Sequence, residues 1–140
     1  MRKVTEFGVM LCVGWVVYYM IEISWRGHSH WTMGLLGGIC LVLIGAINNT
    51  TVFKRLGIIQ QALIGSFLII TPLELLAGII LNMWLGLGIW DYSGLPFNIM
   101  GQISLLFSLL WIPLAVVAIF LDDWLRYVLF DTPKPGYKLF

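Results

Sequence analysis

Between Leu56 and Trp90 the chain carries a single charge, Glu74. One helix over that run would be about 50 Å long, against a hydrocarbon core of about 30 Å. The run therefore has to hold one membrane span and something more. We expect the span to end near Asn82, leaving about 83–98 as an interfacial or re-entrant segment. Gly86, Gly88, Gly94 and Pro96 break regularity there, while Trp84, Trp90, Tyr92 and Phe97 suit the headgroup belt. Irregular backbone at that depth must be covered by protein or water.

Three more apolar runs complete the plan. The expected spans are about 7–25, 33–52, 57–82 and 99–121, with 122–140 as a cytoplasmic tail, an amphipathic extension followed by a loose end. The fold class is all-α: a polytopic membrane protein with four transmembrane helices, forming a single membrane domain over 1–140. Charged residues make up 11% of the chain, where a soluble domain carries about 25%. The net charge is +1, and no basic run with interleaved aromatics appears. No nucleic-acid partner is expected. Met1-Arg2-Lys3 could open a signal peptide, but no small-x-small cleavage site closes the apolar run behind it. That run is expected to be a retained span. Cys12 and Cys40 lie inside apolar runs and set neither a disulfide framework nor a metal site.

Seven of the eight Lys and Arg fall at Arg2 and Lys3, at Lys54 and Arg55, and at Arg126, Lys134 and Lys138. The positive-inside rule then places both termini in the cytoplasm. Only Arg26 lies on the other side. Glu22, Arg26, His28, His30, Trp31, Asn82, Trp90, Asp91, Tyr92, Asn98 and Gln102 gather at that outer end, with Glu74 about two turns below. This lopsided polarity marks the expected ligand-binding set. The inner face carries ordinary anchoring charges.

Each group also has a plainer explanation. An ionisable group inside a span is costly and marks a partner, a cavity or a proton path. Glu74 follows Pro72, which frees a backbone carbonyl and kinks its helix. Gly78 and Asn82 follow at i+4 and i+8 on the same face. Glu74 could equally be a protonated carboxyl holding the bundle together. Glu22 and Arg26 stand at i and i+4, the favourable order for a helical ion pair, and an interfacial salt bridge is enough to explain both. His28 and His30 could share a metal only with further ligands such as Glu22 or Asp91. A polar loop or a proton site explains them as well, and no metal or cofactor is expected. Asp91 either caps its turn or receives a cationic group beside Trp90 or Tyr92. Asn98 and Gln102, at i and i+4 in the fourth span, share hydrogen bonds across the bundle or meet a headgroup. Gly34 and Gly38 form a small-xxx-small pair that lets helices approach closely.

Glu22-Ile-Ser-Trp-Arg-Gly-His-Ser-His-Trp-Thr-Met, Gly37-Gly38, Thr71-Pro72-Leu-Glu74 with Gly78 and Asn82, Trp90-Asp91-Tyr92-Ser93 and Leu95-Pro96-Phe-Asn98-Ile-Met-Gly-Gln102 occur in this order. Together they resemble a family of small bacterial membrane proteins described as putative ABC-transporter type IV. The resemblance runs from about Tyr19 to Trp111. It implies a transporter membrane component, acting as a homo-oligomer or with partner membrane subunits.

The expected function is a small transport component that binds a small molecule or ion in a polar cavity open to the extracytoplasmic side. Glu74 and Asn82 would line that cavity, and Glu74 is placed to exchange a proton as ligand enters. Two alternatives stay open. One is an intramembrane enzyme acting on a lipid-linked substrate. The other is a non-catalytic scaffold or lipid-binding subunit. No residue is singled out as catalytic. No Gly-x-x-x-x-Gly-Lys-[Ser/Thr], Gly-x-Ser-x-Gly or His-Glu-x-x-His sequence is present.

Overall fold

A computed structural model describes residues 1–140. Its helices are α1 (Arg2–Arg26), α2 (Trp31–Asn48), the short α3 (Thr51–Lys54), α4 (Ile58–Trp84) and α5 (Leu105–Leu129). Four of them, all but α3, are long and apolar enough to cross a membrane. The all-α polytopic architecture expected from hydropathy is therefore the one observed.

Each turn between spans has a local cause. Gly27 adopts φ +76° and its amide donates to the Ile23 carbonyl at 2.8 Å, ending α1 in a left-handed cap that glycine takes without strain. His30 then caps α2, accepting from the Thr32 amide. The α1–α2 hairpin packs through small residues, as the small-xxx-small spacing predicts. A Cβ on Gly38 would lie 2.5 Å from the Leu11 carbonyl oxygen, and one on Gly14 would lie 2.9 Å from the Gly38 Cα. Contacts this close exclude any larger side chain. The apolar core lies between α2, α4 and α5 and contains Cys40, Ile44, Ala62, Ile69, Ala115 and Ile119.

Helix α4 has two wide π turns, Gly65–Ile70 and Ile79–Trp84. The first immediately precedes Pro72, whose ring nitrogen cannot donate to the helix ladder. Widening the turn accommodates that missing donor. π turns inside α-helices often mark functional positions, and Glu74 stands between these two.

The structure departs from expectation at the fourth span. Asn98–Ile99 and Ile103–Ser104 form a two-stranded antiparallel pair, with Asn98 opposite Ser104 and Ile99 opposite Ile103. Met100 (φ +52°) and Gly101 (φ +68°) make the turn. Asn98 and Gln102 are therefore not one helical turn apart. The helix starts six residues later than expected, where the Ser104 hydroxyl accepts from the Phe107 amide at 3.3 Å. It then continues to Leu129, so the expected amphipathic extension is a continuation of the same helix. The last residues are not loose. The Lys138 carbonyl accepts from the Ile58 amide at 2.8 Å and so caps α4.

Candidate functional site

The Glu74–Gly78–Asn82 stripe faces the 85–104 loop along its whole length. Asn82 donates to the Trp90 carbonyl at 3.0 Å and to Gln102 Oε1 at 2.9 Å, and accepts from the Ile89 amide at 2.7 Å. Gly78 leaves room for Gln102, whose Oε1 would be 2.5 Å from a Cβ there. One turn further into the membrane, the loop sends Tyr92 onto Glu74. Its hydroxyl donates to Oε1 at 2.9 Å, while Trp111 Nε1 of α5 donates to Oε2 at 2.8 Å.

Glu74 is 2% exposed. Both its partners are neutral donors, and none of the chain's four ion pairs includes it. A carboxylate offers about four acceptor positions, so two bonds leave capacity for more. An inner cavity of about 60 Å³ reaches Glu74 between α1, α2 and α5, lined by Tyr18, Gly37, Cys40 and Trp111 among others. A larger cavity of about 740 Å³ shares the Tyr18 and Trp111 walls and extends past Glu22, Arg26, Tyr92 and Phe107. Of its 14 lining residues, 11 are hydrophobic, so a ligand filling it must be largely apolar.

The expected Glu22–Arg26 ion pair is present. Arg26 Nη2 lies 2.7 Å from Glu22 Oε2, which also accepts from Ser29 at 3.1 Å. Glu22 Oε1 accepts from the Tyr18 hydroxyl at 3.4 Å. Arg26 Nη1 reaches the Ile89 carbonyl at 3.3 Å, joining α1 to the loop, and its buried Nε has no partner.

Other members of the expected set have their polar atoms engaged in building the loop. Asn98 donates to the Ser93 and Leu95 carbonyls and accepts from the Gly101 amide. Gln102 donates to the Met100 carbonyl, and Trp90 Nε1 donates to the Gln102 carbonyl at 2.9 Å. Asp91 caps its turn, accepting from the Ser93 amide at 2.8 Å. Those hydrogen bonds from Ser93 hold its carboxyl below the usual range. Burial, and then the neighbouring Glu74, hold the Tyr92 hydroxyl above the usual phenol range. His28 is exposed, with Nδ1 3.0 Å from the Arg26 carbonyl. His30 Nδ1 lies 2.7 Å from the Thr32 hydroxyl, and Trp31 is 60% exposed. Glu22, Arg26 and Tyr92 thus line one cleft and Glu74 borders the inner cavity that adjoins it, while His28 and Trp31 stand away from both.

Two features were not anticipated. Tyr18 and Trp111 form cleft walls, and the signal for Trp111 was an indole N–H well inside a span, which needs a buried acceptor. At the face bearing the termini, Asp122 is fully buried against Arg126 at 3.0 Å, and Arg126 also meets Glu6 at 3.1 Å. Asn48 donates to Asp123 at 2.9 Å, and Asn49 donates to Asp122 at 3.2 Å. That face holds a buried polar network rather than anchoring charges alone.

Four apolar spans, closed at one end by a hairpin over a buried carboxyl, define a multi-pass membrane protein with an intramembrane polar site. The chain belongs to the family described as Putative ABC-transporter type IV, whose family model matches residues 5–137. Comparison with curated proteins and with solved structures produced no match.

Proposed function

We propose that this chain is a small transport component of the bacterial plasma membrane, with Glu74 at the centre of its ligand site. One observation carries this reading. Glu74 is a buried carboxyl bordering a cavity, satisfied only by neutral donors and matched by no cation. Such a group is costly in a membrane and is by default a candidate for handling a ligand or a proton. In this reading the termini are cytoplasmic and the Glu22–Arg26 end faces outward, following the distribution of Lys and Arg. The small molecule or ion binds in the cleft against Glu74, beneath Tyr92. Further copies or partner membrane subunits complete the translocation path.

The Tyr92 and Trp111 bonds also favour a second reading. They join α4, the loop and α5, so Glu74 could serve a non-catalytic scaffold. Native mass spectrometry of the gently extracted chain separates the two. The transport reading expects a retained small ligand in the wild type that is lost in Glu74→Gln at unchanged assembly mass. No retained ligand, together with a lowered melting temperature in Glu74→Gln, would favour the scaffold.

A further inference from the structure

The chemistry of the cleft narrows the ligand class. Glu22 lines the larger cleft, Glu74 borders the adjoining inner cavity of about 60 Å³ behind the shared Tyr18 and Trp111 walls, and the one cation, Arg26, is already paired with Glu22 at 2.7 Å. When Glu74 is ionised, the unmatched formal charge is therefore negative. An anionic headgroup placed there would meet the Glu74 carboxyl with no free cation to offset it.

The walls are aromatic. Tyr18 and Trp111 stand edge to face at 6.3 Å, Tyr92 stacks on Phe107 at 4.4 Å, and Phe107 lies 5.8 Å from Trp111. Aromatic faces beside a carboxylate attract organic cations, most strongly where water is excluded. A small hydrated inorganic ion would make no use of these rings or of the apolar lining. The cavity of about 740 Å³ lies within the ~300–1,000 Å³ range of sites for drug-sized molecules.

The rim is apolar as well. Val16, Met20 and Leu110, on α1 and α5, are each about half exposed. In a bilayer those side chains meet lipid, so the cleft opens sideways between the two helices. An amphiphilic molecule already dissolved in the membrane can enter there without crossing the hairpin.

We propose that the cleft binds a lipophilic organic cation, which enters laterally between α1 and α5 and places its charge at the Tyr18, Tyr92 and Trp111 walls, with the Glu74 carboxyl directly behind them. This rests on the transport reading of Glu74 and adds the substrate class.

The test uses two probes of nearly equal size and opposite charge, tetraphenylphosphonium and tetraphenylborate. Equilibrium binding is measured on the full chain in nanodiscs, with empty nanodiscs subtracted. We expect saturable tetraphenylphosphonium binding that tetraphenylborate does not displace. Glu74→Gln should weaken it by about tenfold or more, and Trp111→Leu by several-fold, the range of a desolvated cation–aromatic contact. Glu74→Asp should retain measurable binding. Val17 of α1 lines both cavities, so Val17→Trp fills the cleft without altering either carboxyl, and should abolish binding while the melting temperature holds.

Equal or tighter binding of tetraphenylborate would overturn the proposal, as would tetraphenylphosphonium binding that Glu74→Gln and Val17→Trp leave unchanged. If tetraphenylphosphonium fails to bind while native mass spectrometry still finds a ligand lost in Glu74→Gln, the cation class falls and the transport reading stands. If both experiments are blank, both readings fall.

Discussion

The Tyr92 hydroxyl donates to Glu74 Oε1 at 2.9 Å and thereby joins the 85–104 loop to the middle of α4. The contact links an irregular segment to a buried carboxyl, so loop order and site polarity depend on one another. Moving the loop off α4 requires breaking that bond.

Tyr92→Phe removes the donor and keeps the ring stacked on Phe107. Hydrogen bonds between elements in membrane proteins contribute about 0.6 kcal/mol on average and up to about 1.7 kcal/mol. We expect a destabilisation of about 0.5–2 kcal/mol in detergent unfolding. Hydrogen exchange should rise in the loop rather than in α1 or α2. Uniform protection changes along the chain would contradict the coupling.

Asn82→Ala should cost more than Tyr92→Phe. Asn82 bonds three loop groups at once, the Trp90 carbonyl, Gln102 Oε1 and the Ile89 amide. Alanine leaves all three without their partner, at about 1–3 kcal/mol for a buried orphan group. The Ile89 amide should lose protection first. An Ile89 exchange rate equal to wild type would show that the loop is held elsewhere.

Much of this was legible in the sequence, and the parts that were not have physical reasons. The i, i+4, i+8 stripe of Glu74, Gly78 and Asn82 faces one partner surface as its spacing implies, and Glu22 pairs with Arg26. The hairpin at Asn98–Ser104 was hidden because Ile99 to Leu121 is an unbroken apolar run apart from a few small polar residues. Met100 gives no composition signal for the positive φ it adopts. That single turn converts Asn98 and Gln102 from helix neighbours into loop-building groups. The Asp122 network was hidden for another reason. Glu6 and Arg126 meet across 120 residues of chain, and no local pattern reports such a pair.

Gly38→Ala tests whether close packing outweighs helix propensity. Alanine is favoured over glycine in a helix interior by about 1 kcal/mol. Here the added methyl would sit 2.5 Å from the Leu11 carbonyl oxygen, which belongs to backbone and cannot swing away. We expect net destabilisation of about 1–3 kcal/mol from overpacking. An unchanged or higher melting temperature would mean that α1 and α2 separate without cost.

Asp91 gives a pH dependence with a definite sign. The Ser93 hydrogen bonds lower its folded-state pKa, so its contribution is present above the unfolded carboxylate value. It is lost as pH falls through the lower folded value. Ser93 amide exchange, corrected for its intrinsic pH dependence, should therefore accelerate only on acidification below the ordinary aspartate range. Asp91→Asn should flatten that response, because its amide oxygen can still accept from Ser93 but does not titrate. A response centred near neutral pH would point to a different group.

Arg126→Leu is expected to be the most damaging single change at the face bearing the termini. Asp122 has no exposed surface, and Arg126 is the one cation bonded to it, at 3.0 and 3.1 Å. Gly45 of α2 packs directly on the Asp122 carboxyl, where a Cβ would have no room. Neither water nor a shifted side chain can readily take the guanidinium's place. Breaking a buried pair from one side typically costs about 3–5 kcal/mol, because the remaining charge is stranded. Asp122→Asn in the Arg126→Leu background should recover part of that loss, since a neutral amide can still bond Asn48 and Asn49. Arg26→Leu at the opposite face should cost less, because Glu22 keeps bonds to Tyr18 and Ser29. The comparison is read from melting temperatures of the wild type and the three variants in one detergent. If Asp122→Asn fails to rescue Arg126→Leu, the loss comes from the Arg126–Glu6 contact between α5 and α1 instead.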